Sequence, residues 1–367
     1  MKNSFGNQMT VTLFGESHGP AVGAVLDGLC PGLAVSEEYM ARQLSRRRPA
    51  GETDTARVEP DRFQIVSGVF NGKTTGAPLC IVIPNENVRS GDYDYGKARP
   101  SHADHAAFAK YHGYEDYRGG GHFSGRVTAA LVAAGAVVTP ALEGLGVRLG
   151  THILQCAGET DTSFSDREIE YELTTLAQAA FPVLSEEAGE RMKARIAAAK
   201  AEGDSVGGVT QTAVTGLPAG LGKPWFDSVE GLLSHALFSI GGVKGVEFGA
   251  GFAGTDLRGS EYNDPLRVEN GAVRTLINRN GGVNGGITNG MPVVFQCAVK
   301  PTPSIAKAQR TVDFIRNENT EIEIKGRHDP AILRRICPVV DSVTALVLYD
   351  LIAGRCGTDC FVKGIAT

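Results

Sequence analysis

The chain has 367 residues, enough to bury a sizeable core without disulfide staples, and its 42% hydrophobic and 21% charged residues include no biased tract. A net charge of −5 argues against non-specific nucleic-acid binding, so the run Arg46–Arg47–Arg48 is a local feature of an acidic protein. Seven scattered cysteines form no C-x-x-C pair, nothing at the N-terminus reads as a signal peptide, and no apolar run of membrane length is expected; together these predict a cytoplasmic protein with reduced thiols.

In chain order, strands are predicted at Thr10–Phe14 and Val22–Leu26. A helix then begins near Ser36, with Glu37 and Glu38 in its first turn, and ends in the arginines before Pro49; both charge placements suit the helix dipole. A strand at Ala77–Ile83 follows. Ser124 reads as the N-cap of a helix that runs through the alanine-rich stretch to Val138, ahead of Pro140. Further on come a helix from Glu186 to Ala201 stopped by Gly203, strands at Val209–Val214 and Pro292–Val299, and a last helix from Val339 to Ile352 ended by Gly354. Strands and helices are mixed, and no linker divides the chain, so one large α/β domain covering residues 1–367 is predicted. The 47 glycines are roughly twice the usual ~7% share. Clusters such as Gly119–Gly120–Gly121, Gly241–Gly242 and Gly285–Gly286 mark either loops that approach a ligand closely or the turns of a turn-rich β protein.

Five segments carry chemistry. Gly15–Glu16–Ser17–His18–Gly19 matches G-x-S-x-G, the elbow that presents a nucleophilic serine. An elbow needs a helix directly after the serine, whereas Pro20 and Gly23 make the following stretch a turn into a second strand. A hairpin is therefore expected; a hydrolase would instead be revealed by fluorophosphonate labelling of Ser17. The stretch "RPSHADH" gives His102 and His105 an H-x-x-H spacing, either half of a metal site without an evident third ligand or ordinary surface histidines. In "YRGGGHFSGR", Arg118, His122 and Arg126 flank a glycine loop leading to the Ser124 cap, an arrangement suited to phosphate or carboxylate. "VKPTPSI" places Lys300 at a strand end with Thr302 and Ser304 beyond it. "KGRHDPAI" sets Arg327 and Asp329 on one segment stiffened by Pro330, and Arg335 adds charge.

With "FGESHGPAVGAVLDGLCPG", "LSRRRPAG", "SGVFNGKTTGAP", "EGDSVGGVTQTAVTGLPAGLG", "GVKGVEFGAGF" and "GGVNGGITNG" added in order, the chain resembles the chorismate synthase family along nearly its whole length. The resemblance implies a β-α-β sandwich, a homotetramer, and a lyase of the shikimate pathway. Such a lyase converts 5-enolpyruvylshikimate 3-phosphate to chorismate and phosphate by 1,4-anti elimination, with reduced FMN required and no net redox change. It implies that His18 assists the leaving phosphate, His102 keeps the reduced flavin correctly protonated, and Asp329 acts as a base toward the flavin. Ser17, Arg47, Arg48, Arg126 and Arg335 would meet the substrate. The flavin would lie against His122, Phe123, Ser124, Gly241, Gly242, Gly285, Lys300, Pro301, Thr302, Pro303, Ser304 and Arg327, with no metal. The family's R-S-S-A-R-E-T reads His122 to Thr128 here, its Asn-Ala reads Gly241–Gly242, its K-P-T-S-S carries Pro303, and a basic residue after the arginine run is replaced within Glu52–Thr53–Asp54. No insertion of the kind that would reduce flavin is evident, so a monofunctional enzyme is expected, with NADPH only an indirect source of reducing equivalents. The non-enzyme alternative is a flavin- or anion-binding module.

Overall fold

Two antiparallel sheets face each other across a layer of apolar helices in the computed structural model, which describes residues 2–364 except 52, 55–59, 87–94, 166, 270 and 325–327. The first sheet draws on β1 (Ser4–Phe5), β2 (Thr10–Gly15), β3 (Ala21–Asp27), β4 (Gln64–Ser67) and, after a short β5–β6 hairpin (Val69–Phe70, Lys73–Thr74), β7 (Leu79–Pro84). Its order is β1-β2-β3-β7-β4. The second draws on β8 (Arg148–Cys156), β9 (Glu159–Thr160), β10 (Gly208–Thr215) and β11 (Val243–Phe248). Hairpins β12–β13 (Leu266–Glu269, Ala272–Thr275) and β14–β15 (Val283–Asn284, Ile287–Thr288) precede its last strand, β16 (Val293–Val299), and the order is β11-β16-β10-β8-β9. A hairpin of β17 (Gln309–Asp313) and β18 (Glu318–Ile322) stands outside both sheets.

Between the sheets lie α1 (Glu37–Arg47), α3 (Thr128–Gly144), α6 (Val229–Leu237) and α8 (Leu333–Cys356), with α2 (Asp104–Tyr111), α4 (Ile169–Leu176), α5 (Glu186–Ala201), α7 (Gly259–Tyr262) and α9 (Cys360–Lys363) elsewhere. Helix α3 packs on β3 and β7, α8 packs on β8 and β10, and the two helices pack on each other, which makes the β-α-β sandwich. One buried cluster joins Leu26 and Ile81 of the first sheet, Val132 and Val137 of α3, Leu346 and Tyr349 of α8, and Val214 and Phe295 of the second sheet.

The predicted caps are present: the Ser36 hydroxyl accepts from the Tyr39 N–H, and α5 starts and ends where its charges and Gly203 place it. Two helices exceed their expected limits. Helix α3 continues through Pro140 to Gly144 because Leu142, beyond the proline, is buried in the core. Helix α8 begins at Leu333 rather than Val339, since Leu333, Arg334 and Ile336 are buried too and Pro338 removes only one backbone bond near the start. The expectation of no membrane-length apolar run also needs correction. Gly125–Gly144 and Leu333–Cys356 are long and apolar enough to span a bilayer, but 67% and 94% of their apolar windows are buried, so they are core helices.

The helices meet at Gly135, where a Cβ would lie 2.4 Å from Ser342 Cβ and 2.6 Å from Ser342 Cα. Alanine would gain about 1 kcal/mol in helix propensity, yet the obstacle is backbone and cannot swing away. Gly135→Ala is therefore expected to lower stability by about 1–3 kcal/mol, read as a fall in Tm. An unchanged Tm would show that the helices can part at this crossing. Helix α8 also fastens the start of the chain, because the buried Asp350 carboxylate accepts from the Gln8 N–H at 2.6 Å, the Met9 N–H at 2.9 Å and the Asn7 N–H at 3.0 Å.

Candidate active site

The GESHG segment is the turn of the β2–β3 hairpin, with Gly15 opposite Val22. Ser17 is completely buried, and its hydroxyl lies 3.2 Å from the carbonyl oxygens of both Arg118 and Gly119. A nucleophile would hand its proton to a base; this one is held among backbone acceptors, so Ser17 joins two turns. Asn85, at the end of β7, braces the same turn by donating to the carbonyls of Glu16 (2.9 Å) and Gly19 (2.8 Å). The second turn is Gly119–Gly120–Gly121, all three at positive φ (62°, 84° and 51°). A Cβ at Gly119 would lie 2.5 Å from His18 Nε2, and one at Gly120 would lie 3.2 Å from His102 Nε2. Glycine is needed here for backbone conformation and for the room it leaves two imidazoles.

The arginines are placed by their helices. The last carbonyls of α1, which lack partners within the helix, are taken up from α8: Arg334 donates to Arg46 O (3.2 Å) and Arg48 O, and Arg335 Nε donates to Arg47 O (2.9 Å). Arg334 is itself paired with buried Asp54, so the acidic residue after the arginine run anchors this support. Arg46 turns to Asp341 of α8 (3.1 Å), whereas Arg47 and Arg48 face a cleft. Arg47 and Arg126 converge on Asp61, whose side chain is fully buried; Arg126 Nη1 contacts Oδ1 and Arg47 Nη2 lies 3.3 Å from Oδ2. Arg126 also donates to Asn85 Oδ1 (2.8 Å) and Pro84 O (3.0 Å), so most of its fork is engaged within the protein. Burial pushes the Arg47 guanidinium down to about 10, opposed by Asp61 and helped by Arg335 and Arg126; it stays charged at neutral pH.

The cleft has a volume of about 1060 Å³. Among the described residues, Lys2, Arg47, Arg48, Arg99, Arg126, Lys244, Lys300 and Arg335 line it, against two carboxylates, Asp61 and Asp329, in a protein whose net charge is −5. His102, His122, Phe123, Ser124, Gly241, Gly242, Pro301, Thr302, Pro303 and Ser304 also line it. His122 Nδ1 faces the Gly15 carbonyl at 3.1 Å, so that nitrogen carries the proton. Lys300 Nζ donates to Ser101 O, and burial, with Lys244 nearby, lowers its pKa. Arg335 Nη1 pairs with Asp329.

The structure thus brings most of the expected residues together from distant segments. Ser17 and His18 stand one layer behind the wall, His18 touching it through Gly119. Gly285 lies outside the cleft, in the exposed turn between β14 and β15, and Arg327 lies outside the described residues. His105 is exposed on α2 beside the Phe314 ring, and among the described residues no group of three His, Cys, Asp or Glu is placed to hold a metal. Sequence reasoning missed Asp61, Asn85 and Arg334. It also passed over Arg99 and Asp104, although both flank His102 in the stretch read for histidine spacing.

A strongly cationic cleft with histidines at a glycine turn, set in a β-α-β sandwich, defines an enzyme acting on a small anionic molecule. Residues 9–353 match the family model described as chorismate synthase. The chain is 46% identical over 350 residues to the chorismate synthase of Korarchaeum cryptofilum, covering 94% of this chain and 96% of that protein. It is likewise 46% identical over 351 residues to that of Methanosarcina acetivorans, covering 95% of each. A crystal structure of a chorismate synthase aligns with a TM-score of 0.76 at 27% identity, over 96% of this chain and 94% of that one. The chain belongs to the chorismate synthase family, and its activity is that of a lyase in chorismate biosynthesis.

Proposed function

We propose that the cleft binds 5-enolpyruvylshikimate 3-phosphate beside reduced FMN and performs a 1,4-anti elimination that releases phosphate and leaves chorismate. The observation that carries this reading is the convergence of eight lysine and arginine side chains on one cleft, with His102 and His18 at the same glycine turn. Two carboxylates and a phosphate on the substrate call for such a site.

The residues present fit a flavin. Leu131, Ile332, Val343 and Leu346 offer an apolar strip, the Lys300–Ser304 loop offers a cation and hydroxyls, and buried Arg48 Nε and Thr302 Oγ1 have no protein partner among the described residues. The cleft's volume of about 1060 Å³ is at the top of the range usual for ligand pockets, about 300–1,000 Å³. Reduced FMN, when bound, supplies an electron-rich ring that can take up the substrate's ring proton without net oxidation. Arg47, Arg48, Arg126 and Arg335 hold anionic groups, and their charge is in place before negative charge develops on the departing phosphate. His18, one layer behind the wall at Gly119, is the proton source for the departing phosphate by family pattern, His102 keeps Nδ1 on Asp104 and turns Nε2 toward Gly120, and Asp329, oriented by Arg335, accepts a proton. Arg327 is assigned to the flavin by family pattern alone. Gly285, outside the cleft, is given no part in holding it.

The protein acts, on this reading, as a monofunctional cytoplasmic homotetramer of single-domain subunits. Trp225, Phe226 and Phe252 are large exposed apolar side chains available to contacts between subunits. An anaerobic phosphate-release assay tests the function. Chemically reduced FMN should give sustained turnover without stoichiometric flavin oxidation, and NADPH with oxidised FMN should give almost none. Turnover indifferent to flavin would refute the cofactor assignment, and robust aerobic turnover from NADPH and FMN would refute monofunctionality alone.

A further inference from the structure

We propose that Asp104 and Arg99 are positioning residues that together dictate where His102 carries its proton and where its ring points. This deepens the function proposed above, and only its consequence for turnover rests on that reading. Asp104 Oδ1 lies 2.7 Å from His102 Nδ1. The same carboxylate receives Arg99 Nη2 at 2.7 Å, Arg99 Nε at 2.8 Å and the Arg99 backbone N–H at 2.9 Å. A bare Nδ1 would aim its lone pair at a carboxylate oxygen, so the neutral ring carries its proton on Nδ1 and donates it to Asp104. Arg99 Nη2, 3.0 Å from Nδ1, directs one of its two N–H protons to Asp104 Oδ1.

The carboxylate is a dependable acceptor. Burial alone would raise its pKa, but the hydrogen bonds from Arg99 and His102 outweigh burial and hold it well below the ordinary carboxylate range. The loop is closed on itself, with the His102 N–H on Arg99 O at 3.1 Å, and Asp104 then opens α2. With Nδ1 tethered, Nε2 meets the Gly120 backbone, where only a glycine leaves room. The ring thus forms part of a wall: the cleft lies on one side, and a second cavity of about 400 Å³ on the other. Among the described residues, the remaining charges around it are Lys300, bonded to the adjacent Ser101 carbonyl, and Lys97, Glu115, Asp116, Glu321 and Glu323 across the second cavity. Asp104 does not line the cleft, and Arg99, although on its wall, directs Nε, Nη2 and its backbone N–H to Asp104, so their geometry serves the imidazole.

The test is histidine ¹⁵N NMR on the full-length protein, with Asp104→Ala and Asp104→Asn as variants. In the wild type the neutral His102 ring should show Nδ1–H. Alanine removes the acceptor. In the asparagine variant the Arg99 donors claim the amide oxygen, so the NH₂ faces Nδ1, which must then accept. In whichever variant folds, the neutral ring should move to Nε2–H, and kcat should fall about 10²-fold, in the range of a general acid–base contribution, with little change in KM. A wild-type ring protonated on Nε2, or a folded variant that retains Nδ1–H, would overturn the proposal. His102→Ala with undiminished turnover would instead sink the role given to His102 in the reaction, leaving the tautomer result to stand or fall by itself.

Discussion

Asp61→Ala is expected to lower the unfolding free energy by about 3–5 kcal/mol, the usual cost of removing one partner from a buried ion pair. Asp61 is the shared counter-ion of Arg47 and Arg126, and its side chain has no exposure. Without it, two guanidiniums would sit together in a dry wall, each already opposed by a neighbouring cation; Arg47 feels both Arg335 and Arg126. The position is also unusual in the backbone, with φ of +49°. Asp61→Asn keeps the shape and loses the charge, so it should fall between wild type and alanine. Denaturant unfolding reads the effect, and phosphate release should fall in parallel because the anion-binding arginines lose their fixed spacing. If Asp61→Ala unfolds at the wild-type midpoint, the two arginines are satisfied by other groups, and Asp61 has no such role. A double-mutant cycle with Arg126→Ala adds a second check: residues sharing one network should show strong non-additivity.

His102→Ala should lose about 10²–10⁴-fold in turnover, the range typical of a general acid–base group, while its Tm stays close to wild type. The contrast with Asp61 follows from location. His102 sits in a half-buried loop between two cavities and outside the hydrophobic core cluster, so its removal leaves no cavity in packed apolar surface. The assay is anaerobic phosphate release with chemically reduced FMN. Wild-type turnover in the variant would remove His102 from the chemistry altogether.

Where local rules act, the sequence is readable. Ser36 ahead of Glu37–Glu38, Gly203 after the helix that starts at Glu186, and Pro20 with Gly23, which turn GESHG into a second strand, all act within a few residues. Each is found where the caps and turn signals place it. Elements buried on both faces are harder. Strand β8 holds His152 and Gln155 among apolar residues and shows no alternation, because α8 covers one side while His152 is satisfied by Asp161 and Gln211 on the other. The continuation of α3 past Pro140 is likewise a tertiary effect. At the site, motif residues could be named from their segments, but the acids that fix them could not. Asp61 lies 14 residues from one arginine and 65 from the other, and nothing in its own neighbourhood marks it. Arg99 and Asp104 were visible in principle, three residues before and two after His102.

Helix α8 has a consequence for the order in which the protein can be made. Its Asp350 clamps residues 7–9, its Arg334 and Arg335 hold the carbonyls that end α1, and its Val343 and Leu346 form part of the cleft wall. All of these depend on residues 333–356, which leave the ribosome after nearly everything they support. A nascent chain that has not yet delivered α8 holds the arginine run and the glycine turn but lacks the groups that cap the end of α1 and part of the cleft wall. Competence for anion binding should therefore arrive late and all at once during synthesis, with pairing over such long sequence separation favouring slow folding.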